Sequence, residues 1–275
     1  MPLSAPPSLV IMRPMAFDLV GRRALVTGAS SGIGREIARV LAAQGTHLVV
    51  CARRMARMEE LAESLRVAHA VEVDVIEADL AAPGGASALI EEVEALGNPI
   101  DVLVNNAGLG IHGQGVEHDW EAEERMITLN VTALAQLSKH FARAMVARGR
   151  GHLLQVASIA AFQPCPGYAA YGATKSFVLH HGEALAEELR DTGVDVTVLC
   201  PGSTNTEFFE VSGNDRSPIQ LRTSLDADVV ARAAVAAMVA GRRVVVTGLS
   251  NKIGVWGLRL VPRRLQAILA RKVLE

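Results

Sequence analysis

A short apolar strand that runs at once into a glycine-rich turn and an amphipathic helix most limits how this chain can fold. The strand covers residues 24–27, the turn 28–34, and helical apolar spacing continues to Leu41. Glycine permits the left-handed backbone and close approach that such a turn needs, and the N–H groups that begin a helix favour an anion. The turn has the spacing Gly-x-x-x-Gly-x-Gly and indicates dinucleotide binding. A flexible turn without a ligand is the alternative.

Strands and helices alternate regularly along the chain, as is typical of parallel strands joined by crossover helices. The 275 residues, of which 50% are hydrophobic, suit one well-filled domain. The expected fold is an α/β, doubly wound Rossmann domain over residues 21–250, with a seven-stranded parallel sheet and helices on both faces. We predict strands near residues 23–27, 47–51, 71–76, 100–104, 151–157, 194–200 and 243–247, and helices near 32–44, 55–66, 84–96, 119–148, 168–191 and 226–240.

The two ends of the chain differ from this domain. Residues 1–17 contain four prolines and no positive residue ahead of a short apolar patch, so we expect residues 1–20 to be a loosely ordered extension rather than a secretory signal. Residues 251–275 mix large apolar side chains with basic ones. This basic amphipathic tail either packs on the domain or a neighbouring subunit, or lies on an anionic membrane surface. No apolar run is long enough to span a bilayer.

Tyr171 and Lys175 are four residues apart, which places them on one face if the segment is helical. A nearby ammonium favours the phenolate, so we expect Lys175 to lower the pKa of Tyr171 and make it a proton donor to a carbonyl. Ordinary amphipathic helices contain the same spacing, so the pair depends on its surroundings. Tyr168 is a competing phenol, but its i+4 partner is Gly172, and we assign it to the pocket or to packing.

Several motifs in fixed order make the chain resemble the short-chain dehydrogenase/reductase family over residues 23–247. Within that family, residues 77–80 and 171–177 are most similar to bacterial oxidoreductases with poorly defined substrates. The motifs are Thr-Gly-Ala-Ser-Ser-Gly-Ile-Gly at 27–34, Asn-Asn-Ala-Gly at 105–108, Pro-Gly at 201–202, and a tetrad of Asn130, Ser158, Tyr171 and Lys175.

The resemblance implies a catalytic role for each member of the tetrad. Tyr171 is the general acid or base, and Ser158 hydrogen-bonds the same substrate oxygen. Lys175 also bonds the nicotinamide ribose, and Asn130 holds a water that connects Lys175 to solvent. As isolated residues, Ser158 and Asn130 could equally be a strand-end hydroxyl and a helix-interior amide.

The end of the second strand bears on the choice of cofactor. An NAD site commonly carries an acid about 20 residues past the glycine motif, but here Arg53 and Arg54 follow the strand and no acid precedes Glu59. Guanidinium groups suit a 2′-phosphate, so we predict NADP(H) rather than NAD(H), with Arg53 as the main contact; solvated arginines are the alternative. The resemblance implies further cofactor contacts from Gly28, Ser30, Ser31, Gly32, Ile33, Gly34, Asp79, Leu80, Asn105, Ala107, Gly108, Tyr171, Lys175, Pro201, Gly202 and Thr204.

Two segments should border the substrate pocket, namely residues 159–167 and a mobile lid at 203–223. Their apolar residues suggest a cavity for a hydrophobic ketone or secondary alcohol. These residues are Ile159, Phe162, Pro164, Phe208 and Phe209.

The composition limits the classes of function that this chain can have. A net charge of -2 argues against general nucleic-acid binding, the histidines show no metal-ligand spacing, and three cysteines without a CxxC pair fit a reducing cytoplasm. Helices 119–148 and 168–191 resemble those that pair subunits in this family, so we expect a homodimer or homotetramer.

We predict an oxidoreductase that transfers a hydride between NADP(H) and a carbonyl or secondary alcohol. The alternatives are an NAD-dependent alcohol dehydrogenase, a non-catalytic NADP-binding regulatory protein, and an epimerase or dehydratase.

Overall fold

A parallel sheet with helices on both faces forms the centre of the protein. The computed structural model describes residues 17–214 and 216–274. Within these ranges the strands are β1 (Arg23–Thr27), β2 (His47–Ala52), β3 (Val73–Glu77), β4 (Val102–Asn105), β5 (Gly151–Val156), β6 (Val194–Cys200), β7 (Thr204–Asn205), β8 (Leu225–Asp226) and β9 (Val244–Val246). The seven-stranded sheet has the order β3-β2-β1-β4-β5-β6-β9, and β7 pairs with β8 separately. The predicted seven-stranded parallel sheet is confirmed.

The helices of the described residues lie between these strands and after the last of them. They are α1 (Gly32–Ala42), α2 (Met55–His69), α3 (Gly85–Ala95), α4 (Trp120–Ile127), α5 (Leu134–Arg148), α6 (Ala169–Glu188), α7 (Phe208–Val211), α8 (Pro218–Thr223), α9 (Ala227–Val239), α10 (Leu249–Leu258) and α11 (Arg263–Leu274). A π-helical segment, Thr128–Ala133, joins α4 to α5, so the helix predicted over residues 119–148 is interrupted. Among the described helices, none is both long and apolar enough to cross a membrane.

Side chains alternate between the two faces of the sheet along each strand, which explains why helices cover both faces. Val26 packs in a core layer with α1 and α9, whereas the neighbouring Leu25 packs in the opposite layer with α3 and α5. Successive strand side chains point to opposite faces, so a fully apolar strand needs helices on both sides. The strand order reverses between β1 and β4, which opens a crevice at the carboxyl ends of the strands.

The terminal segments were predicted to differ from the domain. Residues 1–16 lie outside the described part of the chain. Leu19 is buried, and the Phe17 N–H donates to the Val239 carbonyl, so residues 17–20 contact the domain. The tail predicted after Ser250 forms two helices, of which α10 contacts residues 159–162 and α11 contacts α8.

Candidate functional site

One cleft at the carboxyl ends of β1, β4, β5 and β6 collects most of the predicted site residues. Its volume is about 610 Å³, and it runs from the glycine turn to the lid and the C-terminal helices. Most of the predicted contacts line it, namely Gly28, Ser30, Ser31, Gly32, Ile33, Arg53, Arg54, Asp79, Leu80, Ala107, Gly108, Ser158, Tyr171, Lys175, Pro201, Gly202 and Thr204. Gly34, Asn105 and Asn130 lie outside the lining.

The glycine turn is held against the loop after β4. Gly28 and Gly32 have φ values of +68° and +55°, which favour glycine. A Cβ on Gly28 would lie 2.8 Å from Asn106 Nδ2, and a Cβ on Gly34 would lie 2.6 Å from the Gly28 oxygen and also meet Asn106. The Asn106 amide donates to the carbonyls of Thr27 and Gly28 at 2.9 and 3.2 Å. Gly34 therefore lets the turn pack tightly against Asn106, below the cleft.

The structure assigns Asn105 a different place from the one predicted. Its side-chain amide is buried and donates to Ser138 Oγ and Gln155 Oε1, at 3.0 and 3.1 Å. Asn105 therefore joins β4 to β5 and α5 beneath the cleft. The neighbouring Asn106 lies in the cleft lining instead. Successive residues at a strand end point in opposite directions, and the sequence did not indicate which of the two faces the cleft.

The two arginines after β2 have unlike surroundings. Arg54 donates to Ser30 Oγ and Ser31 Oγ, at 3.1 and 2.7 Å from its Nη2, and its Nη1 lies 2.7 Å from Glu207. Arg53 is exposed at the cleft, and among the described residues its side chain has no hydrogen bond or ion pair. Arg54 thus supports the glycine turn, while the guanidinium of Arg53 remains available to a ligand.

Asp79 lies at the rim of the cleft after β3. Its carboxylate contacts Arg125 at 2.7 Å and accepts from the Ala81 N–H at 3.0 Å. Burial raises the pKa of Asp79, but the hydrogen bonds from Arg125 and Ala81 and the charges of Arg125 and Arg53 lower it below its usual value. The charged Asp79 is therefore fixed by α4 rather than free to turn into the cleft.

Tyr171 and Lys175 lie on one face of α6, as predicted. The Lys175 ammonium lies 5.8 Å from the centre of the Tyr171 ring and donates to the Val156 carbonyl at 2.9 Å. Ser158, just after β5, is a hydrogen-bonding neighbour of Tyr171, and its Oγ accepts from the Ala160 N–H at 3.1 Å. Three of the four tetrad residues thus meet in the cleft.

The pKa of Tyr171 moves in the direction opposite to the prediction. Burial raises it; the hydrogen bond with Ser158 lowers it, and the neighbouring Tyr168 and Cys165 add to the rise. Burial also lowers the pKa of Lys175 to about 8, because a low-dielectric site disfavours a charge. Desolvation is therefore the largest influence on the pKa of Tyr171, and the spacing of the two residues in the sequence gave no measure of burial.

Asn130 lies behind the cleft in the π-helical segment. Its side-chain oxygen accepts from the Leu109 N–H at 2.9 Å, and its amide donates to the Leu109 carbonyl and to Thr174 Oγ1 at 2.9 and 3.0 Å. A Cβ on Gly108 would lie 3.3 Å from both Asn130 Oδ1 and Lys175 Nζ. Asn130 thus holds the loop that passes next to Lys175, and π-helical segments within helices are frequent at functional sites.

The lid closes the other end of the cleft. The Phe208 ring lies 5.3 Å from the Tyr171 ring and also contacts Gly110. Asn214 donates to the Tyr168 hydroxyl at 2.7 Å, so the second phenol anchors the lid. Ile159, Phe208 and Phe209 line the cleft as predicted, but Phe162 and Pro164 do not.

Several lining residues were not anticipated from the sequence. Thr206 and Glu207 come from the lid, and Ser250, Asn251 and Ala270 come from the C-terminal helices. Glu207 also pairs with Arg57 at 2.6 Å. A weak signal existed for Glu207, since it is an acid in a segment expected to lie over two arginines, but the ion pairs depend on long-range contacts.

The residues present fit a dinucleotide. The glycine turn leaves no room for a Cβ at Gly28, and α1 begins at the turn with no acidic residue in its first turn and no side-chain cap on Ser31. Its first N–H groups can therefore donate hydrogen bonds to an anion. Gly28, Gly32, Arg53 and Lys175 would hold the group from its phosphates to its reacting ring.

Comparisons with known proteins agree with this geometry. Residues 22–217 match the short chain dehydrogenase family. A 7β-hydroxysteroid dehydrogenase of Collinsella aerofaciens is 34% identical over 68% of this chain and 70% of its own length.

Two solved structures also match the chain closely. A short-chain dehydrogenase from Sphingobium yanoikuyae in complex with NADPH has a TM-score of 0.77 and 34% identity, covering 90% of this chain and 98% of its own. A short-chain dehydrogenase/reductase from Burkholderia phymatum in complex with NAD has a TM-score of 0.80 and 26% identity, covering 91% and 97%.

Proposed function

The chain belongs to the short-chain dehydrogenase/reductase family, and we propose that it interconverts a hydrophobic ketone and its secondary alcohol with NADP(H). The observation that carries the proposal is the meeting of Tyr171, Ser158 and Lys175 in one cleft, beside an apolar wall. Family membership supports a nicotinamide dinucleotide and an oxidoreductase. The substrate class and the roles of individual residues are our inference.

Tyr171 is the proposed general acid. A bound nicotinamide dinucleotide supplies a hydride to a carbonyl carbon or takes one from an alcohol. Burial holds the pKa of Tyr171 above its ordinary value, so the phenol keeps its proton at neutral pH and can donate it as charge grows on the substrate oxygen. In the direction of alcohol oxidation, the phenolate would take that proton back.

Ser158 is assigned to hold the substrate oxygen, and Lys175 to hold the cofactor. Ser158 Oγ already accepts a hydrogen bond from the Ala160 N–H, so its own hydrogen can be donated to the substrate oxygen. Lys175 donates one N–H to the Val156 carbonyl and has two further protons, which we assign to a ribose hydroxyl. Asn130 holds the loop beside Lys175, and we propose that a water there connects Lys175 to solvent.

The choice of NADP(H) rests on Arg53. Its exposed guanidinium borders the cleft, as a 2′-phosphate contact would. Relatives bind either dinucleotide, so likeness alone does not favour one of them. A hydrophobic substrate is supported by Leu109, Phe208 and Phe209 in the lining and by the relative that is a hydroxysteroid dehydrogenase.

NADPH consumption over a panel of bulky apolar ketones tests the proposal. We expect turnover in the wild type and a loss of about 10²–10⁴-fold in kcat for Tyr171→Phe. Tyr168→Phe is the matched control and should retain catalysis, since its hydroxyl contacts the lid. Equal turnover in Tyr171→Phe and the wild type would refute the catalytic assignment.

A further inference from the structure

The C-terminal helices present an apolar stripe that the domain leaves uncovered. Leu249, Ile253, Trp256 and Leu260 follow one another at spacings of four, three and four, which places them on one side of α10 and its end. They are 62–74% exposed. Isolated exposed apolar residues are common, but a contiguous set marks an interaction surface.

The next helix also has an exposed apolar face. Leu265, Ile268 and Leu269 of α11 are each 50% exposed, whereas Gln266 and Ala270 of the same helix are buried. The Gln266 amide donates to the Leu258 and Val261 carbonyls, both at 2.8 Å. Both helices are therefore anchored on one side and have a second, outward face that is apolar.

The charged residues around the stripe are all basic. From residue 249 to residue 274 the sequence has six basic residues and no acidic residue, although the whole chain has a net charge of -2. Lys252 and Arg259 adjoin the α10 stripe at helical spacing. Two copies meeting through this face would bring like charges together, whereas an anionic surface would be attracted.

The helices that carry the stripe also border the cleft, through their inward sides. Asn251 of α10 and Ala270 of α11 line the cleft, together with Val211 and Ile219 of the lid. Val211 and Ile219 are 61% and 50% exposed. The wall of the cleft therefore combines exposed apolar residues of the lid with the inward sides of the two helices that carry the stripe.

We propose that the outward faces of α10 and α11 dock the protein on a bilayer that contains anionic phospholipids. The apolar side chains enter the boundary between headgroups and acyl chains, and the basic residues contact the headgroups. Docking itself does not depend on the proposed function.

Flotation with phosphatidylcholine vesicles, with and without phosphatidylserine, tests the docking. The protein should float with the anionic vesicles and be released by salt. The chain has two tryptophans, so Trp120→Phe leaves Trp256 as the only one, and its emission should move to shorter wavelength on anionic vesicles.

Paired variants separate the contribution of the basic residues to membrane binding from that of the apolar residues. Lys252→Glu with Arg259→Glu should weaken binding roughly tenfold or more, and Trp256→Ser with Leu260→Ser should do so by a similar factor. Arg190→Glu and Val67→Ser change exposed residues of α6's end and α2 and should leave binding unchanged. Circular dichroism melts verify that each variant folds.

Absence of flotation by the folded wild type, or equal flotation of all variants, would overturn the proposal. So would a smaller assembly in gel filtration for Trp256→Ser with Leu260→Ser, if the wild type ignores vesicles, because the face would then be a subunit contact. Turnover of a water-soluble ketone should be unchanged in these variants, so failure of docking and failure of the proposed activity can be told apart.

Discussion

The nucleotide end of the cleft is formed by residues that directly follow strands of the sheet, whereas its substrate end is closed by segments far apart in sequence. At the first end, the Asn106 amide bonds the backbone of the glycine turn. At the second, Phe208 of the lid contacts Tyr171 of α6, and α11 rests on α8. Strand ends fix backbone positions closely, while surface helices can shift with few lost contacts. The nucleotide end should therefore tolerate substitution less.

Gly34→Ala should cause the largest change, because the new Cβ would meet Asn106 and the Gly28 oxygen. We expect the free energy of unfolding to fall by about 1–3 kcal/mol, and NADPH binding to weaken on the order of tenfold. Urea unfolding and a fluorescence titration measure the two effects. Gly254→Ala, in open space on α10, is the control and should not weaken either. Wild-type binding by Gly34→Ala would mean that the turn is not the cradle.

Lys175 lies between the two ends and gives a prediction about pH. Its pKa in the folded chain is lowered to about 8 from the ordinary 10.5, so between these values the unfolded chain binds more protons. Stability from this residue therefore rises with pH across that window, by on the order of 3 kcal/mol.

Lys175→Met should remove that component, so its stability relative to the wild type should decrease as pH rises from about 7 to about 10. Urea unfolding at several pH values measures the difference. Lys139→Met, at an exposed position of α5, should follow the wild-type profile. Parallel profiles for Lys175→Met and the wild type would contradict a lowered pKa.

Arg53→Ala addresses the charged rim of the nucleotide end. Loss of a 2′-phosphate contact should raise the KM for NADPH roughly tenfold and leave the KM for NADH nearly unchanged. Arg54→Ala should affect both dinucleotides alike, since Arg54 bonds Ser30 and Ser31 of the turn. If only Arg54→Ala discriminates between the dinucleotides, the specificity belongs to Arg54.

Glu207→Gln should have the smallest effect. Its carboxylate joins the lid to Arg54 and Arg57, but the paired side chains are 41–49% exposed, and exposed pairs contribute about 0–1 kcal/mol. We expect a two- to threefold change, roughly, in the KM for a bulky ketone, without loss of stability. Asp228→Asn, which breaks the exposed pair with Arg232 on α9, is the control. A tenfold change would show that the lid is held more firmly than its contacts indicate.

The sequence correctly predicted the seven-stranded parallel sheet and the shared helix face of Tyr171 and Lys175 on α6. Tyr171 and Lys175 share a helix face because four residues make about one turn. Asn105 was predicted as the cofactor contact, whereas Asn106 lines the cleft, because the sequence does not show which of two successive side chains at a strand end faces the cleft. It also missed α7 and α8, whose short lengths leave little periodicity to detect.

The pattern of apolar runs and glycines by itself determined the parallel sheet and the turn after β1, because these depend on periodicity and backbone freedom. Only the tertiary structure decided the raised pKa of Tyr171, the partners of Arg54 and the outward apolar face of α10 and α11. Burial and ion pairing between distant segments depend on which surfaces remain covered after folding, and that information is spread over the whole chain.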